Sequence, residues 1–279
     1  MLSMLAAATF LGAAAAPVKT YEVKSPDGRL SIVLTAGERL AFSVARDGQT
    51  LVAPSEMALT LDSGEVLGAD PKVRSARRRA VSETLDAPLY RQSRFDAAYN
   101  ELDLRLRGDY GVMARAYDDG VCYRFYTERD GRLTIVGETA QLNFEGDPSA
   151  YIPYSKSKIP MRTSFENTYV YAPLSEFKTQ TLAFMPVLVD LGERGYVLYT
   201  ESDVEAYPGV YLTYDEAAKG FAARFAEYPT ETSVTKRFQD VVERSTDYIA
   251  RVEGRRSYPW RIVAYAATAV ELPVNNMVY

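Results

Sequence analysis

The fold is decided by the stretch GVMARAYDDGVCYRFYT, residues 111–127. Apolar and polar side chains alternate on both sides of the turn signal Asp118-Asp119-Gly120. Two alternating runs joined by a short Asp-Gly turn predict an antiparallel β-hairpin. Cys122 lies in the second run. Because the chain offers no histidine to activate a thiol, we interpret Cys122 as a small core residue and not as a nucleophile.

The same pattern extends outward along the chain. Strands at this spacing predict an all-β fold, a large antiparallel β-sandwich, and exclude an alternating βα fold. No repeat or linker interrupts the pattern, so residues 17–279 are predicted to form one domain. The polar turns predicted between apolar runs are Ser25-Pro26-Asp27-Gly28-Arg29, Arg46-Asp47-Gly48-Gln49, Asp62-Ser63-Gly64, Glu128-Arg129-Asp130-Gly131 and residues 253–258.

Two further runs carry fold predictions. The continuous apolar run at residues 181–189 predicts a central strand that is covered on both faces. The basic run Arg74–Arg79 has no interleaved aromatic residues, so it indicates a solvated strand or loop and not a nucleic-acid surface.

Composition removes several kinds of chemistry. The chain has 279 residues, a net charge of -5, no histidine and one cysteine. These counts exclude a Ser-His-Asp triad, a Cys-His pair, a histidine-ligated zinc site and an intrachain disulfide. The negative charge gives no electrostatic case for nucleic acid. Carboxylates, the 21 tyrosines, lysine, arginine and hard metal ions remain as carriers of chemistry.

The two ends of the chain carry predictions about its context. Residues 1–16, MLSMLAAATFLGAAAA, are similar to a secretory signal peptide, although the basic start of such a peptide is absent. Export to the periplasm or beyond is therefore expected. The last residues, Glu271–Tyr279, end on an apolar run, which suggests that a further domain follows.

An acidic stretch, YVLYTESDVEAYPGVY at residues 196–211, places Glu201, Asp203 and Glu205 at every second position. If this stretch stays extended, the three carboxylates share one face of a sheet. Three like charges repel one another, and a calcium ion with several oxygen ligands would make the arrangement favourable. The alternative is a solvated strand end that runs into an acidic loop, and the sequence favours that alternative.

An aromatic segment, SFENTYVY at residues 164–171, has no strand or helix periodicity. Its rings suit stacking on a sugar, while Glu166 and Asn167 suit hydrogen bonds to sugar hydroxyls. A half-buried sheet edge that packs through its tyrosines is an equally good interpretation.

Together these stretches resemble the N-terminal domain of glycoside hydrolase family 97. The acidic stretch with Tyr207-Pro208-Gly209 and the stretch around Trp260 are the most specific parts of the resemblance, which covers nearly the whole of residues 17–279. The matching pieces are Ser25-Pro26-Asp27-Gly28, residues 115–121, Phe165-Glu166-Asn167-Thr168-Tyr169, residues 201–209, Tyr258-Pro259-Trp260-Arg261 and Leu272-Pro273-Val274-Asn275.

The resemblance implies a β-supersandwich that packs on a (β/α)8 barrel, which is absent from this chain. Members are exo-acting α-glucosidases or α-galactosidases, usually exported by bacteria, with a calcium ion in the active site. The resemblance implies that Glu201 is the calcium ligand from this domain, with Glu205 and Glu166 as alternatives. Residues Glu166, Asn167, Asp203 and Tyr207 are the substrate-binding candidates.

In this family both catalytic carboxylates belong to the barrel. No catalytic residue is therefore assigned here, and the chain alone is expected to be inactive towards its α-linked oligosaccharide. The alternative hypothesis is a free-standing exported carbohydrate-binding module without hydrolase activity, motivated by the aromatic segment.

Overall fold

The computed structural model describes residues 18–156, 161, 167–234 and 240–278. Over these residues the chain is almost entirely β, with four short 3-10 helices at Leu174–Glu176, Gly192–Arg194, Ala269–Val274 and Asn276–Val278. The strands are β1 (Lys19–Lys24), β2 (Leu30–Ala36), β3 (Leu40–Arg46), β4 (Gln49–Leu61), β5 (Val66–Leu67), β6 (Val73–Asp86), β7 (Arg94–Leu106), β8 (Tyr110–Tyr117), β9 (Gly120–Asn143), β10 (Ser149–Ile152), β11 (Val170–Pro173), β12 (Val187–Asp190), β13 (Tyr196–Ser202), β14 (Val210–Asp215), β15 (Gly220–Phe225), β16 (Pro229–Val234), β17 (Asp240–Ser245), β18 (Ala250–Ser257) and β19 (Trp260–Ala266).

The strands form an antiparallel sandwich, as the alternating sequence predicts. One layer runs β1-β2-β3-β4, then the second half of β9, then β15-β14. The other runs β6-β7-β8, then the first half of β9, then β19-β13-β12-β10-β11. β16 and β17 form a separate exposed hairpin.

Short local signals predicted the hairpins correctly. β8 and β9 are joined by Asp118-Asp119, and Tyr117 pairs with Gly120. Asp47 and Gly48 join β3 to β4 with φ angles of 49° and 80°. Such left-handed conformations suit a tight hairpin turn. The alternating side chains of β2 and β8 face the interior as expected, because a strand presents every second residue to the same side.

Two predicted turns are wrong, and both fall where the chain passes from one layer to the other. β9 continues without a break through the Glu128-Arg129-Asp130-Gly131 segment, and β18 continues to Ser257. The two strands pair along this crossover with an irregularity between Glu253 and Arg255. A bulge bends a strand without ending it, so the turn-forming residues at this crossover bend the two strands and do not terminate them.

The apolar run at residues 181–189 is only partly a strand. Its last part, β12, is central as predicted, since it pairs with β10 and β13, but the predicted length and the cover on both faces are wrong. β12 begins at Val187, and Leu188 on its outer face is only half-buried. Before it, Ala183 makes isolated bridges to Tyr154 and Leu212. The apolar side chains at the start of the run are buried by loop packing, which a periodicity argument cannot separate from strand packing.

The main core lies between the layers and includes Leu30, Ile32 and Leu34 of β2. A smaller cluster of Cys122, Trp260 and Ile262 lies outside that core, and it confirms Cys122 as a packed residue. The basic run Arg74–Arg79 belongs to β6, whose side chains are mostly exposed, as predicted. The signal-like residues 1–16 lie outside the described residues. Among the described residues, no helix is long and apolar enough to span a bilayer.

Candidate functional site

The acidic stretch does not stay extended. β13 ends at Ser202, and Asp203 and Ala206 have left-handed φ angles of 60° and 50°. The every-second-residue geometry is therefore lost directly after Glu201. The arrangement with Glu201, Asp203 and Glu205 on one face of a sheet therefore does not form. The favoured alternative, a strand end that runs into an exposed acidic loop, is confirmed from Ser202 onward.

Glu201 is held from two directions. Arg261 lies opposite Glu201 in the β13–β19 register, and its Nη1 donates to Glu201 Oε2 at 2.5 Å. The backbone N–H of Val210, beyond the Tyr207-Pro208-Gly209 turn, donates to Oε1 at 2.9 Å. The turn therefore folds the chain back onto the carboxylate that ends the strand.

Gly209 makes this approach possible. A Cβ on Gly209 would lie 3.2 Å from Glu201 Oε1, which is closer than ordinary van der Waals contact. A side chain here would press on the carboxylate, so glycine suits the close approach of backbone to an acidic group.

Arg261 joins Glu201 to a second carboxylate across the sandwich. Its Nε and Nη2 donate to the two oxygens of Glu138, each at 2.8 Å, in a bidentate pair. Arg261 lies on β19 in one layer, and Glu138 lies in the second half of β9 in the other. The side chains of Arg261 and Glu138 are 1% and 4% exposed, and that of Glu201 is 14% exposed.

The electrostatics of this Glu138–Arg261–Glu201 triad leave a surplus of negative charge. Two carboxylates and one guanidinium sum to one net negative charge. Burial by itself would lower the pKa of Arg261, but the two carboxylates raise it well above its ordinary value. Arg261 therefore stays charged at any working pH, and the least buried member of the triad is Glu201.

The other two carboxylates of the stretch have different surroundings. Asp203 accepts a hydrogen bond from Arg124 Nη1 at 2.9 Å. The Arg124 guanidinium lies 4.3 Å from the centre of the Trp260 ring. Glu205 is exposed, and its backbone carbonyl accepts a hydrogen bond from Arg256 Nη2 at 2.9 Å. Only Glu201 of the three is fixed by a buried partner.

Of the remaining predicted residues, Tyr207 lies close to the triad, since Glu138 and Arg261 act electrostatically on its hydroxyl. Tyr207 is 8% exposed, and its ring packs against Phe225 and Tyr258 in the core. Asn167 is exposed, and its Oδ1 accepts the backbone N–H of Thr168 at 2.9 Å. Glu166 lies outside the described residues. The predicted roles of these residues in substrate binding stay predictions.

A calcium ion could be held at Glu201 only if other groups supply most of its ligands. A calcium ion takes about six to eight oxygen ligands. Within residues 18–156, 161, 167–234 and 240–278, no three acidic or cysteine side chains converge on one point. Each Glu201 oxygen accepts one hydrogen bond and keeps a second lone pair. Glu201 borders a cavity of about 360 Å³ lined also by Phe184, Met185 and Tyr211. Among the described residues, Glu201 is therefore a carboxylate that a hard cation could share, without a second and third acidic side chain beside it.

Sequence reasoning missed Glu138 and the role of Arg261. Arg261 did carry a signal, since a single arginine interrupts the apolar strand WRIVAYA at residues 260–266. A charged residue inside a buried strand indicates a buried partner. Glu138 lies 123 residues away in sequence, and nothing in its local pattern distinguishes it.

Residues 23–279 match the family described as Glycosyl-hydrolase 97 N-terminal. The chain belongs to this family. It is 37% identical over 269 residues to a retaining alpha-galactosidase of Bacteroides thetaiotaomicron, a match that covers 94% of this chain and 41% of that protein. The family-97 N-terminal fold of this chain is thus shared with a longer enzyme.

Solved structures agree on the fold of this family-97 domain. A Glycoside Hydrolase Family 97 enzyme from Pseudoalteromonas sp. strain K8, in complex with acarbose, superposes with a TM-score of 0.73 and 17% identity, and covers 90% of this chain and 36% of that one. A beta-arabinopyranosidase superposes with a TM-score of 0.74 and 19% identity, over 89% of this chain and 40% of that one. The chain spans about two fifths of the length of these relatives.

Proposed function

We propose that this domain acts with a (β/α)8 catalytic domain as part of a calcium-dependent, exo-acting α-glucosidase or α-galactosidase. The family-97 N-terminal match supports its place in a glycoside hydrolase, and the relative from Bacteroides thetaiotaomicron supports α-galactoside as one substrate. The chain contributes a wall of the pocket and one calcium ligand, and the catalytic carboxylates come from the barrel. Export through residues 1–16 belongs to the same proposal.

The calcium-binding part of this proposal rests on the partly exposed Glu201 carboxylate. It is fixed by Arg261 and the Val210 N–H, and it retains free lone pairs beside a cavity. When bound, calcium would polarise the leaving group or a water molecule. The residues of this chain hold the Glu201 oxygens in place and bring one negative charge to the pocket.

Glu201→Gln tests the proposal in the protein that joins this domain to its barrel. The amide keeps the shape of the side chain and removes its charge, on which calcium affinity depends. We expect calcium affinity and hydrolysis of a p-nitrophenyl α-glycoside to fall together, each on the order of tenfold or more. Titration of chelator-treated protein measures the first. Glu101→Gln, at a buried carboxylate that is bound by two arginines and has no proposed role in the site, is the matched control. An unaltered calcium affinity in Glu201→Gln contradicts the proposal.

A second candidate function, a carbohydrate-binding module, is favoured by an exposed pair of tyrosines. Tyr151 on β10 and Tyr171 on β11 lie opposite each other with ring centres 4.6 Å apart. The hydroxyl of Tyr171 donates to Asp190 Oδ2 at 3.0 Å. Exposed rings beside a carboxylate suit the apolar face and the hydroxyls of a sugar.

Isothermal titration of this chain with maltose or melibiose distinguishes the two functions. Binding that is lost in Tyr171→Ala and kept in Tyr228→Ala, another exposed tyrosine, supports the module. No heat of binding with either sugar supports a domain that works only with its barrel.

A further inference from the structure

The buried triad holds Glu201 in one orientation, and its geometry assigns a function to the two residues behind it. We infer that Arg261, fixed in turn by Glu138, is a positioning residue that sets the direction of the Glu201 carboxylate towards its ligand. This inference rests on the proposed role of Glu201 as a calcium ligand.

The hydrogen bonds hold both the plane of the Arg261 guanidinium and the two oxygens of Glu201. Glu138 binds Nε and Nη2 of Arg261 as a fork, and this fixes the plane of the guanidinium. The remaining Nη1 then points at Glu201 Oε2, while the Val210 N–H holds Oε1. The carboxylate cannot rotate about its terminal bond without losing one of these donors. Its unused lone pairs therefore keep a constant direction.

The location of Glu138 makes the support rigid. Glu138 belongs to the second half of β9, where its neighbours pair with β4, and Arg261 reaches it from β19 in the facing layer. The aromatic ring of Phe225, on β15, lies 5.6 Å from the Arg261 guanidinium. The orientation of Glu201 is thus set by both layers of the sandwich and not by its own strand end.

Stability alone gives a poor reason for this arrangement. Replacing a buried ion pair by apolar residues of similar volume is often neutral or stabilising. Partners behind a metal ligand, by contrast, fix its orientation, and their loss typically lowers metal affinity by about 10-fold to 100-fold. Glu138 and Arg261 have the relation to Glu201 that such partners have.

The test measures calcium affinity in the protein that joins this domain to its barrel. Chelator-treated wild type, Glu138→Gln, Arg261→Lys and Glu201→Gln are titrated with Ca²⁺, and their thermal unfolding is recorded without calcium. Glu101→Gln is the matched control, because Glu101 is also buried, at 3% exposed, and also binds two arginines. We expect Glu138→Gln and Arg261→Lys to lose about 10-fold or more in affinity, and Glu101→Gln to lose none.

The double variant Glu138→Gln/Glu201→Gln separates positioning from general damage. If Glu138 acts through Glu201, its loss adds nothing once Glu201 is already amidated. Weak calcium binding in Glu201→Gln together with unaltered affinity in Glu138→Gln and Arg261→Lys overturns this inference alone. Unaltered affinity in Glu201→Gln overturns the proposed ligand itself. An equal loss in Glu101→Gln overturns positioning, because it would show that any buried charge change weakens the site.

Discussion

The replacement Arg261→Met is the sharpest test of the triad as a structural unit. Methionine keeps an unbranched apolar stem as far as the position of Nε, but it removes three hydrogen bonds of 2.5 to 2.8 Å to Glu138 and Glu201. Two carboxylates, 4% and 14% exposed, are then left without a counter-charge. Removing one partner of a buried ion pair costs about 3 to 5 kcal/mol.

Urea unfolding of the 279-residue chain, followed by circular dichroism, measures this loss. With a slope of about 3 kcal/mol per M, the midpoint should fall by roughly 1 to 1.7 M. Arg132→Met is the matched control. Arg132 also binds a cross-strand glutamate, Glu253, but both side chains are about two-thirds exposed, at 66% and 68%. Such an exposed pair contributes less than about 1 kcal/mol.

A second variant identifies the cause of the loss. Arg261→Met combined with Glu138→Met removes the most buried orphan carboxylate and should recover a large part of the lost stability. If Arg261→Met costs no more than Arg132→Met, the triad has no structural role and the reasoning is refuted. If the double variant is less stable than Arg261→Met, the cost comes from packing and not from the unpaired charge.

Three further predictions concern single positions. Gly209→Ala places a Cβ 3.2 Å from Glu201 Oε1, so calcium affinity of the joined protein should fall, whereas Gly137→Ala, where a Cβ meets nothing within 4 Å, should leave it unaltered. Burial raises the pKa of Glu101, but its two arginine partners lower it to a net value below the ordinary 4.5. The stability that Glu101 contributes is therefore present above pH 4.5 and lost as the pH falls through its lowered pKa. The difference in urea midpoint between wild type and Glu101→Gln should become smaller below pH 4.5, and a larger difference there would contradict this prediction. Burial raises the pKa of the Cys122 thiol to about 12, so Ellman's reagent at pH 8 should label this thiol only in denaturant, and labelling of the folded chain would contradict its burial.

The sequence by itself determined the hairpins and the sandwich. Alternation and Asp-Gly turns act within a few residues, so β8, the start of β9 and the β3–β4 turn follow from local preference. The same local signals were misleading at Gly131 and Gly254, where β9 and β18 stay paired as they cross between layers. A turn and a bulge use the same residues, and only the partner strand decides between them.

The candidate site shows the same division. The sequence identified Glu201 and the turn that closes on it, because both lie in one short stretch. It could not show that Asp203 and Glu205 leave the sheet face of Glu201. The strand is broken by left-handed backbone at Asp203 and Ala206, and neither residue is a glycine that would have signalled it. Nor could it join Glu138 to Arg261 across 123 residues. A buried charge needs a partner, but which partner it meets depends on how two layers stack, and that is decided only by the tertiary structure.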